Sequence, residues 1–133
     1  ILRDYARTPA DEIFSVSLHE SPDLAPVLTA AAVMSEAGLE ITGASHLRLK
    51  ESNRIEELCE AYADVGIEVL PRQDGLLVPV GIQRAREGAA WRTFEDHRLA
   101  MTGALLTLRD ALHIEEPWVV AKSYPGFWAD LRR

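Results

Sequence analysis

LRLKESNR, at residues 47–54, is the stretch of sequence that decides the predicted fold. Its leucines alternate with Arg48 and Lys50, and a period of two is typical of a β-strand. Asn53 and Glu56 then form a capping-box pattern with Asn as the cap, which predicts that a helix begins directly afterwards. Dense positive charge beside a helix N-terminus suits a phosphorylated or carboxylated small molecule, so the segment also predicts an anion site.

The residues before this segment predict a strand, a helix and a second strand. The segment IFSVSL at residues 13–18 favours a strand. Ser21 and Pro22 form a helix-start signature, and the helix is predicted to end at Gly38. Residues 39–42 are predicted to form the next short strand.

The residues after the segment predict a hairpin. The helix that begins in the opening segment is expected to end at Gly66. Residues 67–70 and 76–80 are predicted strands on either side of Asp74 and Gly75, a strong hairpin turn signal. The polar stretch at residues 81–90 is predicted to be a loop.

The last third of the chain predicts a helix, a strand and a short helix. Asp96 is a candidate helix cap, residues 118–121 favour a strand, and residues 123–125 can begin the last helix. The buried stripe of the third helix is predicted from apolar residues at helical spacing: Met101, Ala104, Leu105, Leu108 and Leu112. The alternation of elements predicts an α/β fold with repeated strand-helix units.

Composition limits the classes of function. The chain has 133 residues, which is enough for one domain, and its net charge of −7 argues against binding to nucleic acid or an anionic membrane. No apolar run is long enough for a transmembrane helix. Cys59 is the only cysteine, so no intrachain disulfide can form and a cytoplasmic location is expected. Ile1 is not an initiator Met, which suggests that the chain begins inside a longer gene product. The sequence has no Gly-rich phosphate loop, zinc-ligand spacing or serine nucleophile elbow.

Chemically versatile side chains fall at the predicted element ends. Asp23 opens the first helix, Arg54 the second, His97 and Arg98 the third, and Lys122 follows the last strand. Helix N-termini present unpaired N–H groups and the positive end of the helix dipole. If these ends converge, they form a pocket for anions.

Each candidate also has a plain structural interpretation. Asp23 could simply complement its helix dipole, and Lys50 and Glu51 could be solvated surface charges. Arg54 could pair with a neighbouring acid on the surface, and His97 could be a satisfied histidine at the edge of the core.

Three segments together resemble the 5-enolpyruvylshikimate-3-phosphate synthase family. They are LRLKESNRI at residues 47–55, EDHRLAM at 95–101 and VAKSYPGF at 120–127, with Pro22 and Asp23 upstream. The match begins near Ser21 and corresponds to the C-terminal part of that enzyme. The resemblance implies a fold of two domains, each built from βαβαββ units, with the active site in the cleft between them. Residues 1–133 would then supply about two units of one domain, and the N-terminal domain is absent.

The resemblance also implies a reaction. The family transfers the enolpyruvyl group of phosphoenolpyruvate to the 5-hydroxyl of shikimate 3-phosphate, releases phosphate, and serves the pathway to chorismate and the aromatic amino acids. It needs no metal or organic cofactor. Because much of the site would belong to the missing domain, the isolated chain is expected to fold without turning over.

The roles of individual residues follow from the matched motifs. Asp23 is expected to be the proton acceptor, and Glu51 is expected to handle the methylene proton. Shikimate 3-phosphate would contact Asp23, Lys50 and His46, the last replacing an Asn that several members carry. Phosphoenolpyruvate would contact four residues: Arg54, Arg98, Lys122 and His97. The only two lysines of the chain, Lys50 and Lys122, both fall on matched ligand positions.

Two other interpretations remain open at the level of sequence. The related enolpyruvyl transferase that acts on UDP-N-acetylglucosamine shares the fold and the chemistry, and activity with one or the other substrate separates them. A free-standing structural or binding module without catalysis belongs to a different class, and a native gene encoding only this span would favour it.

Overall fold

A computed structural model of the chain describes residues 1–49 and 53–132, and the predicted mixed α/β class is confirmed. None of the helices within these residues is both long and apolar enough to cross a membrane. The helices are α1 (Leu2–Ala6), α2 (Ala25–Val33), α3 (Arg54–Asp64), α4 (His97–Leu106) and α5 (Phe127–Leu131). The strands are β1 (Ile13–Ser17), β2 (Gly38–Thr42), β3 (Leu70–Arg72), β4 (Gly75–Val78), β5 (Ala89–Trp91) and β6 (Leu112–Ile114).

The strands form two sheets. The larger sheet has the order β1-β2-β4-β3, with β1 parallel to β2 and with β4 antiparallel to both of its neighbours. Along the chain this sheet and its helices follow the order β-α-β-α-β-β. The smaller sheet pairs β5 with β6 in parallel, and α4 connects the two strands.

A pair of buried aromatic side chains links the two sheet-helix groups. The rings of Tyr62 on α3 and Trp91 on β5 are fully buried and meet edge to face, with centroids 5.0 Å apart. Each polar atom is satisfied, because Trp91 Nε1 donates to the Leu99 carbonyl at 2.8 Å and the Tyr62 hydroxyl donates to Thr29 Oγ1 at 3.1 Å. Burial raises the pKa of Tyr62.

An ion cluster ties the end of α4 to the rest of the molecule. The side chain of Asp110 is only 5% exposed, and it accepts hydrogen bonds from Arg109 Nη2 at 2.6 Å and from the Ala85 N–H at 3.1 Å. Arg109 also donates to the carbonyls of Val33, at the end of α2, and Gln83. The hydrogen bonds from Arg109 lower the pKa of Asp110.

The strand predicted at residues 47–49 is wrong. Residues Ser45–Leu49 form a 3₁₀ helix, and the Leu47 N–H donates to the nearby Ala44 carbonyl at 3.0 Å rather than to a neighbouring strand. Arg48 is also used differently, since its guanidinium donates to the carbonyls of Arg72 and Gln73 and pairs with Glu56 at 3.0 Å. This contact fastens the β3–β4 turn to α3.

The strand predicted at residues 118–121 is also wrong. Residues Pro117–Lys122 form another 3₁₀ helix, in which the Val119 N–H bonds to the Glu116 carbonyl at 3.2 Å, and the parallel partner of β5 is β6. The predicted stripe of α4 also extends too far: the helix ends at Leu106, Leu108 is 70% exposed, and Leu112 begins β6.

Two turn predictions need smaller corrections. The hairpin exists, but its turn is Gln73 and Asp74, and Gly75 is already paired with Arg72 in the ladder. A Cβ on Gly75 would lie 1.8 Å from the Ile41 carbonyl oxygen, so the glycine permits close backbone approach. The first predicted helix is expected to end at Gly38, but α2 ends at Val33 and Gly38 begins β2.

Candidate functional site

Three charged side chains from distant parts of the chain meet in the structure. Asp23 lies in a short 3₁₀ helix, Pro22–Leu24, directly before α2. Arg54 is the first residue of α3, and Arg98 lies in the first turn of α4. Asp23 Oδ1 is 3.5 Å from Arg54 Nη1, and Asp23 Oδ2 accepts a hydrogen bond from Arg98 Nη2 at 3.3 Å.

Local capping sets where the two arginine-bearing helices begin. Asn53 accepts a hydrogen bond from the Glu56 N–H at 3.2 Å, as the sequence predicts, and this contact begins α3 at Arg54. Asp96 caps α4 by accepting from the Arg98 N–H at 2.8 Å. The second oxygen of Asp96 lies 3.9 Å from Arg54 Nε. One carboxylate therefore connects the starts of both helices.

The charged side chains border an apolar pocket. Asp23 is 54% exposed, whereas Arg54 and Arg98 are 28% and 32% exposed. The apolar lining comes from several elements: Pro22, Ala25, Pro26, Leu47, Ile55, Leu58, Leu76 and Leu99. Two guanidinium groups beside such a surface can bind a carboxylate or phosphate through paired hydrogen bonds. The accessible carboxylate can accept a proton from a bound hydroxyl group.

Lys122 reaches the turn that precedes α4. The 3₁₀ helix Pro117–Lys122 packs against α4 through contacts among Ala100, Val119 and Val120. At the end of this helix, Lys122 Nζ donates a hydrogen bond of 2.6 Å to the carbonyl of Glu95. The ammonium group is therefore held at the backbone of Glu95, one residue before Asp96, which caps α4.

The remaining predicted site residues are distributed differently. His97 is the first residue of α4 and is partly buried. His46 lies in the 3₁₀ helix Ser45–Leu49, and its ring meets the edge of His19 with centroids 6.3 Å apart. The predictions for Lys50 and Glu51 lie outside the described residues.

Two contributions to the site have no predicted role in the site itself. The sequence predicts Asp96 only as a helix cap, but in the structure it also lies 3.9 Å from Arg54. The signal for this second role was the position of an acid next to His97 and Arg98. The carbonyl of Glu95 had no signal, because every residue carries a backbone carbonyl and only its orientation matters.

Other reactive groups are poorly placed. The Cys59 thiol is buried in α3, and burial raises its pKa to about 12, so it is not a thiolate near neutral pH. Among residues 1–49 and 53–132, no group of three or more His, Cys, Asp or Glu side chains is arranged to hold a metal ion.

Comparison with known proteins connects this arrangement to one family. The family model described as EPSP synthase (3-phosphoshikimate 1-carboxyvinyltransferase) matches residues 3–131 of the chain. The chain belongs to the EPSP synthase family. All four charged residues that border the pocket (Asp23, Arg54, Asp96 and Arg98), and Lys122, lie within the matched range.

Relatives within the EPSP synthase family come from bacteria and archaea. The 3-phosphoshikimate 1-carboxyvinyltransferase of Clostridium acetobutylicum is 35% identical over 120 residues, which are 89% of this chain and 28% of that protein. The protein of the same name from Thermococcus kodakarensis is 37% identical over 98% of this chain and 33% of its own length. That from Thermus thermophilus is 41% identical over 84% of this chain and 25% of its own length.

A solved EPSP synthase structure shows the same fold. The enzyme from Acinetobacter baumannii superposes with a TM-score of 0.70 and 31% sequence identity, over 80% of this chain and 25% of that one. The chain therefore spans only about a quarter to a third of the length of the EPSP synthases that it matches.

Proposed function

We propose that this chain is part of a 3-phosphoshikimate 1-carboxyvinyltransferase. The whole enzyme would transfer the enolpyruvyl group of phosphoenolpyruvate to the 5-hydroxyl of shikimate 3-phosphate and release phosphate, on the way to chorismate. The observation that carries the proposal is the meeting of Asp23, Arg54 and Arg98 around one pocket. Membership of the EPSP synthase family and the names of the relatives support the choice of reaction.

The chemistry requires proton transfer in two steps. In the addition step, the hydroxyl oxygen bonds to the enol carbon that carries phosphate, while the methylene carbon gains a proton. In the elimination step, the carbon–oxygen bond to phosphate breaks, and the methyl carbon loses a proton to restore the double bond. We assign the hydroxyl proton to Asp23, whose carboxylate is accessible, and the methylene proton to Glu51.

Cations would hold the two anionic substrates. Arg54 and Arg98 offer planar forks that suit the carboxylate and phosphate of phosphoenolpyruvate, and Lys122 offers a compact charge for its phosphate. We assign His97 to the same substrate, because it begins the helix that carries Arg98. We assign Lys50 and His46, together with Asp23, to shikimate 3-phosphate.

The site would be completed by the N-terminal domain of the same enzyme. The chain spans about a quarter to a third of the length of its relatives, and the remainder of the enzyme would offer further ligands for two highly charged substrates. A net charge of −7 on this part alone would repel those substrates. We place the complete enzyme in the cytoplasm, where the buried thiol of Cys59 would stay reduced.

Phosphate release tests the proposal. The chain should be inactive alone and active when it is combined with the missing N-terminal portion. In that combined form, Asp23→Ala should lower kcat at least about 100-fold, since it removes a general base. Lys122→Ala should lower kcat/KM by roughly 100-fold, since it removes a charge at the leaving phosphate.

Matched variants at exposed positions provide the controls. Asp11→Ala and Arg7→Ala remove the same kinds of charge from exposed positions outside the pocket lining and should leave activity within about twofold. Wild-type activity in the Asp23 or Lys122 variant would disprove that assignment. Phosphate release with UDP-N-acetylglucosamine, and none with shikimate 3-phosphate, would show that the chain is part of the related UDP-N-acetylglucosamine enolpyruvyl transferase instead.

A further inference from the structure

The turn before α4 adopts a backbone conformation that its residues disfavour. Phe94 and Glu95 have φ angles of 51° and 57°, and the Asp96 N–H donates to the Thr93 carbonyl at 2.8 Å. Positive φ at both central residues is typical of a type I′ turn, where Gly, Asn and Asp predominate. A phenylalanine followed by a glutamate is unsuited to this turn, so surrounding contacts must maintain it.

Those contacts come from both sides of the turn. The Phe94 ring packs against the main core, and the Arg92 guanidinium lies 4.6 Å from its centroid. Arg92 is anchored in turn to Asp64 at the end of α3, at 2.5 Å. On the other side, Asp96 is fixed by its cap bond to α4. The turn is therefore held between two helices.

The left-handed conformation determines where the Glu95 carbonyl lies. Rotation of φ into the negative region would turn this carbonyl relative to the preceding chain. In the observed conformation the carbonyl accepts the 2.6 Å hydrogen bond from Lys122 Nζ. Lys122 is exposed and has a long flexible side chain, so it would otherwise sample many rotamers. An ammonium group has three donors, and two remain for a ligand.

We infer that Glu95 is a positioning residue for Lys122, and that it acts through its backbone carbonyl in the left-handed turn rather than through its carboxylate. The identity of the ligand, the phosphate of phosphoenolpyruvate, rests on the proposed function, but the contact itself does not. The turn, which the contacts of Phe94 and Asp96 maintain, directs this carbonyl to the only lysine in the last third of the chain.

A pair of variants separates the backbone from the carboxylate. Glu95→Asn and Glu95→Val both remove the charge. Asn adopts positive φ readily, whereas a β-branched Val does not. In ¹⁵N-lysine-labelled chain, hydrogen exchange of the Lys122 ammonium with water can be followed by NMR, and Lys122→Arg identifies its signal because the chain has only two lysines.

The expected result is slow exchange in the wild type. The Lys122 ammonium should exchange roughly tenfold more slowly than that of free lysine, as a hydrogen bond to a charged group implies. Glu95→Asn should stay within about twofold of the wild type, while Glu95→Val should approach free lysine. If the Lys122 ammonium of the wild type exchanges as fast as that of free lysine, the inference is overturned. This wild-type measurement tests the inference even if Glu95→Val does not fold. Equal exchange in two folded variants overturns it as well.

Kinetics of the combined enzyme supply a second readout. Glu95→Val should raise the KM for phosphoenolpyruvate about tenfold relative to Glu95→Asn, with a smaller change in the KM for shikimate 3-phosphate. Equal KM values in the two variants overturn the positioning role. A wild-type combined enzyme without phosphate release would instead refute the proposed function, and the NMR result would still decide the contact between Glu95 and Lys122.

Discussion

Asp110→Asn should weaken the connection between α4 and the rest of the molecule. Asp110 is buried against Arg109, whose own side chain is only 16% exposed. Arg109 joins the segment after α4 to the Val33 carbonyl at the end of α2. Because Arg98 lies on α4 and Asp23 precedes α2, a loosened cluster should also disturb the pocket. The substitution keeps the shape of the side chain, removes its charge and replaces one acceptor oxygen with an NH₂ donor.

The magnitude follows from the burial of each partner. Loss of one member of a buried pair with Arg109 costs about 3 kcal/mol, at the lower end of the usual range because Arg109 keeps two carbonyl partners. The contact with Arg84 adds about 0.5 kcal/mol or less, since Arg84 is 65% exposed. The hydrogen bond from the Ala85 N–H should remain, because the Asn oxygen can still accept it, so this contact adds no loss of stability. The free energy of unfolding should therefore fall by about 3 kcal/mol, or roughly 10 °C in Tm.

The effect should depend on pH in a defined direction. The pKa of Asp110 is lowered in the folded state, so its contribution is complete above the unfolded pKa of about 3.9 and disappears as pH falls through the folded value. Urea unfolding of both proteins should show a constant difference from pH 7 to about 5, and a shrinking one below about 4.

A matched substitution at an exposed acid provides the control. Asp11→Asn removes a charge outside this cluster and should change stability by less than about 0.5 kcal/mol. A loss below about 1 kcal/mol for Asp110→Asn, or a difference from the wild type that does not change between pH 7 and 3, would refute the reasoning.

Three further outcomes are expected from single residues. Gly75→Ala should prevent stable folding, because its Cβ would collide with the Ile41 carbonyl. Gly88→Ala has open space around its Cβ and should lower the free energy of unfolding, measured by urea titration, by only about 1 kcal/mol. Equal losses of stability in the two variants would contradict the structure. Asn53→Ala should lower the free energy of unfolding by about 1 kcal/mol through loss of the α3 cap, and an unchanged value would remove that role. Cys59 should resist thiol reagents at pH 8 until the protein unfolds, since its pKa is raised to about 12; rapid labelling of the native chain would disprove its burial.

Local signals in the sequence were sufficient where one contact determines the structure. Asn53 predicts the start of α3 because the cap bond spans only three residues, and Asp96 predicts the start of α4 in the same way. Residues 47–49 were mispredicted because alternation shows that a segment can be a strand but not that a partner is free. These residues form a 3₁₀ helix instead, in which the Leu47 N–H bonds to the Ala44 carbonyl.

For the candidate site, the sequence by itself determined which charged residues stand at helix starts, and its motifs predicted the family. Only the tertiary structure decided which of these residues meet. Asp23 and Arg98 are 75 positions apart, and their contact depends on the packing of α2 against α4. The partner of Lys122 is a backbone carbonyl whose direction is set by the φ angle of Glu95. Capping is local and therefore readable from the chain, whereas convergence and carbonyl direction result from packing that no short stretch of sequence contains.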